Sequence, residues 1–176
     1  IRLRPYTEKC PKPLLKIAGK PILEHIINNA KEEGFIQFTI AINYLGQLIK
    51  DYFLNGERLN VNIDYISEKN PLGTGGALSL IKEKIKHDLI VMNGDVMSNI
   101  SLKSLLNFHE KNKADATMVI RPFEQINPYG VVHVKNDRIT HFEEKPIVRS
   151  NINAGIYVLK PYIIEELIQN EYTTMP

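Results

Sequence analysis

Four stretches of this chain carry groups suited to chemistry on phosphates. The first is Pro11-Lys12-Pro13, where two prolines restrict the backbone and hold a lysine ammonium in a stiff loop. The second is Glu68-Lys69-Asn70-Pro71-Leu72-Gly73-Thr74-Gly75-Gly76, a glycine-rich turn running into residues 77–82. A helix opened by that turn would present free N–H groups and a dipole to an anion or a nucleotide. The third is Asp95, which ends the run Asp88-Leu89-Ile90-Val91-Met92-Asn93-Gly94-Asp95. The fourth is Glu143-Glu144-Lys145-Pro146, with Asn153-Ala154-Gly155 beyond it. A carboxylate such as Asp95 can hold Mg²⁺, which takes one or two carboxylates and completes its shell with substrate phosphates. Lysines and an arginine can cover phosphate charge. Together these groups suit phosphoryl or nucleotidyl transfer, in which positioning and charge neutralisation supply most of the rate.

Plainer roles exist for each. Asp95 can cap a turn at a strand end, and Glu143-Glu144-Lys145 can be a solvated hairpin end. The glycine turn is not a P-loop, because no Gly-Lys-Ser/Thr comes after it, and its third Rossmann glycine position is Leu78. No Ser/His/Asp or Cys/His arrangement stands out, and the five histidines do not pair at metal spacing. His25, on a helical stretch, reads as a surface or boundary residue.

Periodicity indicates the elements that must position these groups. Asp88 to Asp95 carries four consecutive apolar residues and reads as a strand buried on both faces, in a parallel sheet. Asp95 then stands outside the carboxyl end of a strand, where open α/β sheets bind ligands. Pro21 suits a first helical turn. Ile22, Leu23, Ile26, Ile27 and Ala30 recur at helical spacing, and Gly34 is the expected left-handed terminator. Strands are expected at 35–42 and 61–66, with a short helix at 47–54 between them. Ser101 caps a helix whose apolar side is Leu102, Leu105, Leu106 and Phe108. Another strand is expected at 116–120. The character then becomes β-rich: strands 129–134 and 138–144 flank Lys135-Asn136-Asp137, a hairpin signal, before a strand at 152–159 and a helix at 161–168. This order argues an α/β domain with a mostly parallel sheet and a β-rich, substrate-facing part.

Composition excludes several classes. The 176 residues suffice for one domain with a real core. Hydrophobic content of 43% and charged content of 24% are those of a globular chain. The net charge of +2, without a basic arm, implies no nucleic-acid partner. No apolar run approaches the ~20 residues of a membrane span, and no signal peptide is read at the start. Cys10 has no second cysteine to pair with, which fits a reducing cytoplasm. The expectation is therefore a cytoplasmic protein with no membrane partner. The start at Ile1 and the stop after Met175-Pro176 suggest a piece of a longer chain.

Several motifs, taken in order, resemble one family. Arg2-Leu3-Arg4-Pro5 is similar to the end of the G-x-G-T-R-L-x-P signature of sugar-1-phosphate nucleotidyltransferases, the NDP-sugar pyrophosphorylases. Pro11-Lys12-Pro13-Leu14-Leu15 with Gly19-Lys20-Pro21-Ile22-Leu23 is similar to its second half. Pro71-Leu72-Gly73-Thr74, Asn93-Gly94-Asp95, Tyr129-Gly130-Val131, Glu144-Lys145-Pro146 and Asn153-Ala154-Gly155 come next, in the family's order. The resemblance covers essentially the whole chain as a single nucleotidyltransferase domain over 1–176, truncated at both ends. It implies a Rossmann-like, mostly parallel sheet between helices, of the nucleotide-diphospho-sugar transferase type, with a β-rich sugar-binding part. The glycine-rich loop and first strand of that signature do not precede Arg2 here, and the family's second metal carboxylate falls beyond residue 176.

The resemblance also implies roles. Arg2 contacts the triphosphate and the departing pyrophosphate, Lys12 holds phosphate near the reacting centre, and Lys145 contacts the sugar phosphate. Gly73 and Thr74 lie by the nucleoside. Gly130, Glu144 and Asn153 face the sugar, and Asp95 binds Mg²⁺. The implied substrates are an NTP and a sugar 1-phosphate, and a homo-oligomer is compatible with the reading. Glu68 stands where pyrimidine-using relatives commonly carry glutamine. An ionised carboxylate only accepts hydrogen bonds, which suits guanine's adjacent N1–H and N2 amine and not uracil or thymine. The expectation is a preference for GTP, which resembles the mannose-1-phosphate guanylyltransferase branch; Glu68 facing solvent or Lys69 is the other reading. Two rival functions stay open: a metal-dependent glycosyltransferase using NDP-sugar, and a non-catalytic nucleotide-sugar-binding module. The binding module keeps Glu68, Gly73 and Asn153 but needs no Lys12.

Overall fold

The computed structural model describes residues 9–81 and 84–175. The chain divides into two compact units. One comprises the residues up to Thr117 and those from Ile156 onward; the other is Met118–Gly155.

In the first unit, Pro11 leads into a 3₁₀ turn, Lys12–Leu14. Strands β1 (Lys16–Ile17) and β2 (Lys20–Pro21) pair antiparallel around Ala18-Gly19, both at positive φ. Helix α1 (Ile22–Glu32) begins at once, so Pro21 is its N-cap and not its first helical residue. Leu23, Ile27 and Ala30 are buried at i, i+4 and i+7, and Gly34 at φ 93° ends the helix. Strand β3 (Gln37–Ile42), helix α2 (Gly46–Phe53) and strand β4 (Asn62–Ser67) complete a β-α-β unit, with β3 and β4 parallel from Gln37↔Asn62 to Ile42↔Ser67. Leu23, Ile27, Ile42, Ile49, Phe53, Leu59, Val61 and Ile63 form its apolar core. Burying side chains such as Ile27 or Phe53 stabilises the fold by about 1.5–3 kcal/mol each.

Glu24 is buried on the same helix, at 4% exposure. Its Oε2 accepts from Tyr52 Oη at 2.8 Å and Arg58 Nη2 at 3.0 Å. Burial pushes its carboxyl pKa up, but these two donors and the Arg58 charge more than offset that and hold it below its ordinary range.

A 3₁₀ helix (Gly76–Leu80) precedes strand β5 (Leu89–Met92). Helix α3 (Leu102–Lys111) is capped by Ser101, whose Oγ accepts from Ser104 N at 3.1 Å. Glu33 adds a second cap from the end of α1, accepting from Leu102 N and Lys103 N. Next come strands β6 (Ala116–Ile126), β7 (Val131–Lys135), β8 (Arg138–Glu143) and β9 (Ile147–Leu159), then helix α4 (Pro161–Glu165). One sheet has the order β5-β9-β6. In the second unit, β7 and β8 pair antiparallel through Asn136-Asp137, both at positive φ as a two-residue primed turn requires.

Several local expectations change. Strand β5 runs antiparallel to β9, from Leu89↔Leu159 to Met92↔Ile156, and its residues are only half-buried. An unbroken apolar run carries no information on the direction of its partner. Strands β6 and β9 are longer than their apolar cores, and α4 is shorter than expected. Phe108 is exposed at 58%. The buried face of α3 is instead Leu102, Leu105 and His109, whose ring lies with Nδ1 2.7 Å from Thr117 Oγ1 and Nε2 3.5 Å from Asp88 Oδ2. His25 is half-buried, with Nε2 2.8 Å from the Ile17 carbonyl oxygen. Among the described residues, no helix is long and apolar enough to cross a membrane.

Candidate active site

The first unit brings Lys12 and Asp95 together. Lys12 Nζ lies 3.6 Å from Asp95 Oδ2, and both side chains stay partly exposed, at 46% and 37%. Packing produces this. The backbone turn after β5 passes under the Pro-Lys-Pro loop, and a Cβ on Gly94 would sit 3.6 Å from Pro13 Cγ and 3.9 Å from Leu23 Cδ1. The 3₁₀ turn, closed by Leu14 N and Leu15 N donating to Pro11 O and Lys12 O, fixes the lysine's backbone. The result is a cation and a carboxylate on the edge beyond the carboxyl end of β5, both open to a ligand. Arg2 lies outside the described residues.

Glu68 stands one residue past β4, at the level of Asn43, one residue past β3. Glu68 N donates to Ile42 O at 3.0 Å, extending the parallel ladder, and Asn43 Nδ2 donates to Glu68 Oε2 at 3.3 Å. Asn43 O in turn accepts from Gly46 N at 2.9 Å, in the turn that opens α2. The partner of Glu68 is thus Asn43, a residue the sequence reading passes over. Laying the two parallel strands side by side would have found it.

Gly73 adopts φ +83°, and a Cβ there would fall on the Thr173 carbonyl oxygen, so only glycine fits. The donors of the turn are not free: Gly75 N and Gly76 N both donate to Thr173 O, at 2.9 and 3.2 Å. The turn leads into a five-residue 3₁₀ helix and not the expected longer helix. The physical picture of an anion seated on open helix N–H groups therefore does not hold at Gly75 and Gly76. Thr74 is exposed, and its Oγ1 accepts from Met175 N at 2.9 Å.

In the second unit, Gly130 and Glu144 are neighbours. A Cβ on Gly130 would sit 2.6 Å from Phe142 Cζ and 3.1 Å from Glu144 Oε2, so the absent side chain is what lets β8's end approach. Lys145 takes a left-handed φ of 45°, exposed at the turn into β9. Asn153 Oδ1 accepts from Gly155 N at 2.8 Å, an Asx turn that fixes its amide within β9.

Metal-binding potential in the first unit rests on Asp95. Among the described residues, no group of three or more His, Cys, Asp or Glu gathers as a cage. A single open carboxylate fits the donor chemistry of Mg²⁺, which keeps most of its shell for water and substrate phosphates.

Residues 1–175 match the nucleotidyl transferase family, and the chain belongs to it. It is similar to the probable mannose-1-phosphate guanylyltransferase 1 of Oryza sativa subsp. japonica, 34% identical over 175 residues, covering 94% of this chain and 48% of that protein. The mannose-1-phosphate guanylyltransferase of Mycobacterium tuberculosis is 35% identical over 172 residues, covering 96% and 48%. The chain thus spans about half the length of these curated relatives. Among solved structures, HddC from Yersinia pseudotuberculosis superposes with a TM-score of 0.70 at 26% identity, covering 94% of this chain and 74% of that one. HddC is also known in complex with GMP-PN. These likenesses establish the nucleotide-diphospho-sugar transferase type of α/β fold.

Proposed function

We propose that the protein joins a nucleoside triphosphate and a sugar 1-phosphate, giving an NDP-sugar and pyrophosphate, with both units in one nucleotidyltransferase domain. A phosphate oxygen of the sugar 1-phosphate attacks the α-phosphorus in line. The bond from that phosphorus to the bridging oxygen breaks, and pyrophosphate leaves with the electron pair. The observation that carries this reading is the Lys12–Asp95 pair, 3.6 Å apart and open at a sheet edge. Lys12 neutralises phosphate charge as the bond order shifts. Asp95 would hold Mg²⁺, which neutralises and orients substrate phosphates when bound. Arg2 is assigned to the triphosphate, Gly73 and Thr74 to the nucleoside, Lys145 to the sugar phosphate, and Gly130, Glu144 and Asn153 to the sugar.

GTP is the proposed nucleotide. Glu68 keeps Oε1 and a second lone pair on Oε2 to accept from guanine's N1–H and N2 amine while Asn43 Nδ2 donates to Oε2, and the named relatives are guanylyltransferases. The lone Cys10, a free thiol, is compatible with a reducing cytoplasm.

The test assays pyrophosphate release by the full-length protein with GTP, UTP, dTTP, CTP and ATP, each against a panel of sugar 1-phosphates. Release that requires both substrates and is fastest with GTP is expected. Sugar transfer from an NDP-sugar without pyrophosphate exchange would make the protein a glycosyltransferase. Tight NDP-sugar binding with no turnover would make it a binding module.

A further inference from the structure

The glycine turn is held largely from outside its own stretch of sequence. Residues 170–175, almost a hundred positions later, lie along it. Thr173 pairs on both sides: its N–H donates to Leu72 O at 2.9 Å, and its carbonyl accepts from Gly75 N and Gly76 N. Met175 N donates to Thr74 Oγ1 at 2.9 Å. At the other end, Asn170 N donates to Ser79 Oγ at 3.3 Å, and that hydroxyl donates to Gly76 O at 2.6 Å. The fit is close enough that a Cβ on Gly76 would sit 2.6 Å from Glu171 O.

We infer that residues 170–175 are a positioning strap for the nucleotide-facing turn, and that Met175 orients the Thr74 hydroxyl. A hydroxyl has one proton and two lone pairs. With one lone pair taken by Met175 N–H, the Thr74 proton points away from that N–H. Thr74 keeps its proton and one lone pair on the sides away from Met175, and the proton can be donated to a carbonyl or phosphate oxygen of the nucleotide. Thr173 supplies the shape: the backbone bonds on either side of Gly73 fix the left-handed turn that places Thr74. Neither strap residue touches substrate. This inference rests on the proposed nucleotide role of Gly73 and Thr74.

The strap also makes a thermodynamic demand. If it favours nucleotide binding, nucleotide must stabilise the strap by the same factor. The first measurement uses the unaltered full-length protein, following amide hydrogen exchange with and without the triphosphate that releases pyrophosphate fastest. Slower exchange at Thr173 and Met175 on saturation is expected. The second compares Met175→Pro, which lacks the donated N–H, with Thr74→Val. Met175→Pro should raise KM for the triphosphate roughly five- to tenfold, the scale of one lost hydrogen bond. Its kcat, its KM for the sugar 1-phosphate and its thermal midpoint should change little. If Thr74→Val raises that KM, while Met175→Pro leaves it alone and exchange at Thr173 and Met175 ignores nucleotide, the strap is overturned and the site assignment stands. If neither variant moves KM and exchange ignores nucleotide, Thr74 is not at the nucleotide and both readings fall.

Discussion

The Lys12 ammonium lies 3.6 Å from the Asp95 carboxylate, although the two residues belong to separate loops far apart in the chain. Attraction between partly exposed charges is worth little in water, about 0–1 kcal/mol. The pair is therefore a consequence of how Pro13 packs over Gly94 and not the cause of it. Neither group is committed to holding the fold, so both are available to a substrate.

Asp95→Asn keeps the shape of the turn and removes the charge. Activity is expected to fall by roughly two to three orders of magnitude, the scale of losing a preorganised charge-stabilising group. Steady-state pyrophosphate release across a Mg²⁺ titration checks it. Near-normal turnover at saturating Mg²⁺ would remove Asp95 from the metal.

Lys12→Met retains the aliphatic stem and deletes the ammonium. Turnover should drop while the thermal transition stays within about 0.5 kcal/mol of wild type, because an exposed loop lysine outside the core contributes little to stability. Unchanged kinetics count against a phosphate role. A collapsed transition would mean that the loop, and not the charge, depends on Lys12.

Glu68 and Asn43 form the next test. Glu68→Gln presents a donor beside an acceptor and should shift the ranking of GTP against UTP and dTTP. Asn43→Ala removes the 3.3 Å amide contact that orients the Glu68 carboxylate and should weaken discrimination in the same direction, less strongly. The readout is the ratio of kcat/KM values between nucleotides. A ranking that survives Glu68→Gln removes the argument for guanine.

Glu24 gives the pH dependence. Its pKa in the folded chain lies below its ordinary value of 4.5. The stability it contributes is therefore complete above that value and is lost as pH falls through the depressed folded pKa. Glu24→Gln should cost about 1–3 kcal/mol at neutral pH, as expected for hydrogen bonds to a buried charged group. Chemical denaturation from pH 7 downward checks it. The gap between wild type and variant should hold to about pH 5 and then close in acid. A gap independent of pH would show that Glu24 acts by packing alone.

Local periodicity and turn chemistry were legible in the residues themselves. The α1 stripe of Leu23, Ile27 and Ala30, the Ser101 cap and the Asn136-Asp137 turn depend only on neighbours within a few positions, where backbone sterics decide. The order of short motifs from Pro11-Lys12-Pro13 to Asn153-Ala154-Gly155 was likewise enough to point to the nucleotidyl transferase family, to which the chain belongs. Tertiary structure decided what depends on partners distant in sequence. The direction of β5 was set by β9, the burial of His109 by Thr117, and the orientation of Glu68 by Asn43 at the end of the adjacent parallel strand. The glycine turn is the clearest case. Its composition announces a strained backbone and open donors, but Thr173 takes two of those donors from nearly a hundred residues away. A backbone N–H has no side chain to mark its partner, so only the folded chain reveals where it is spent.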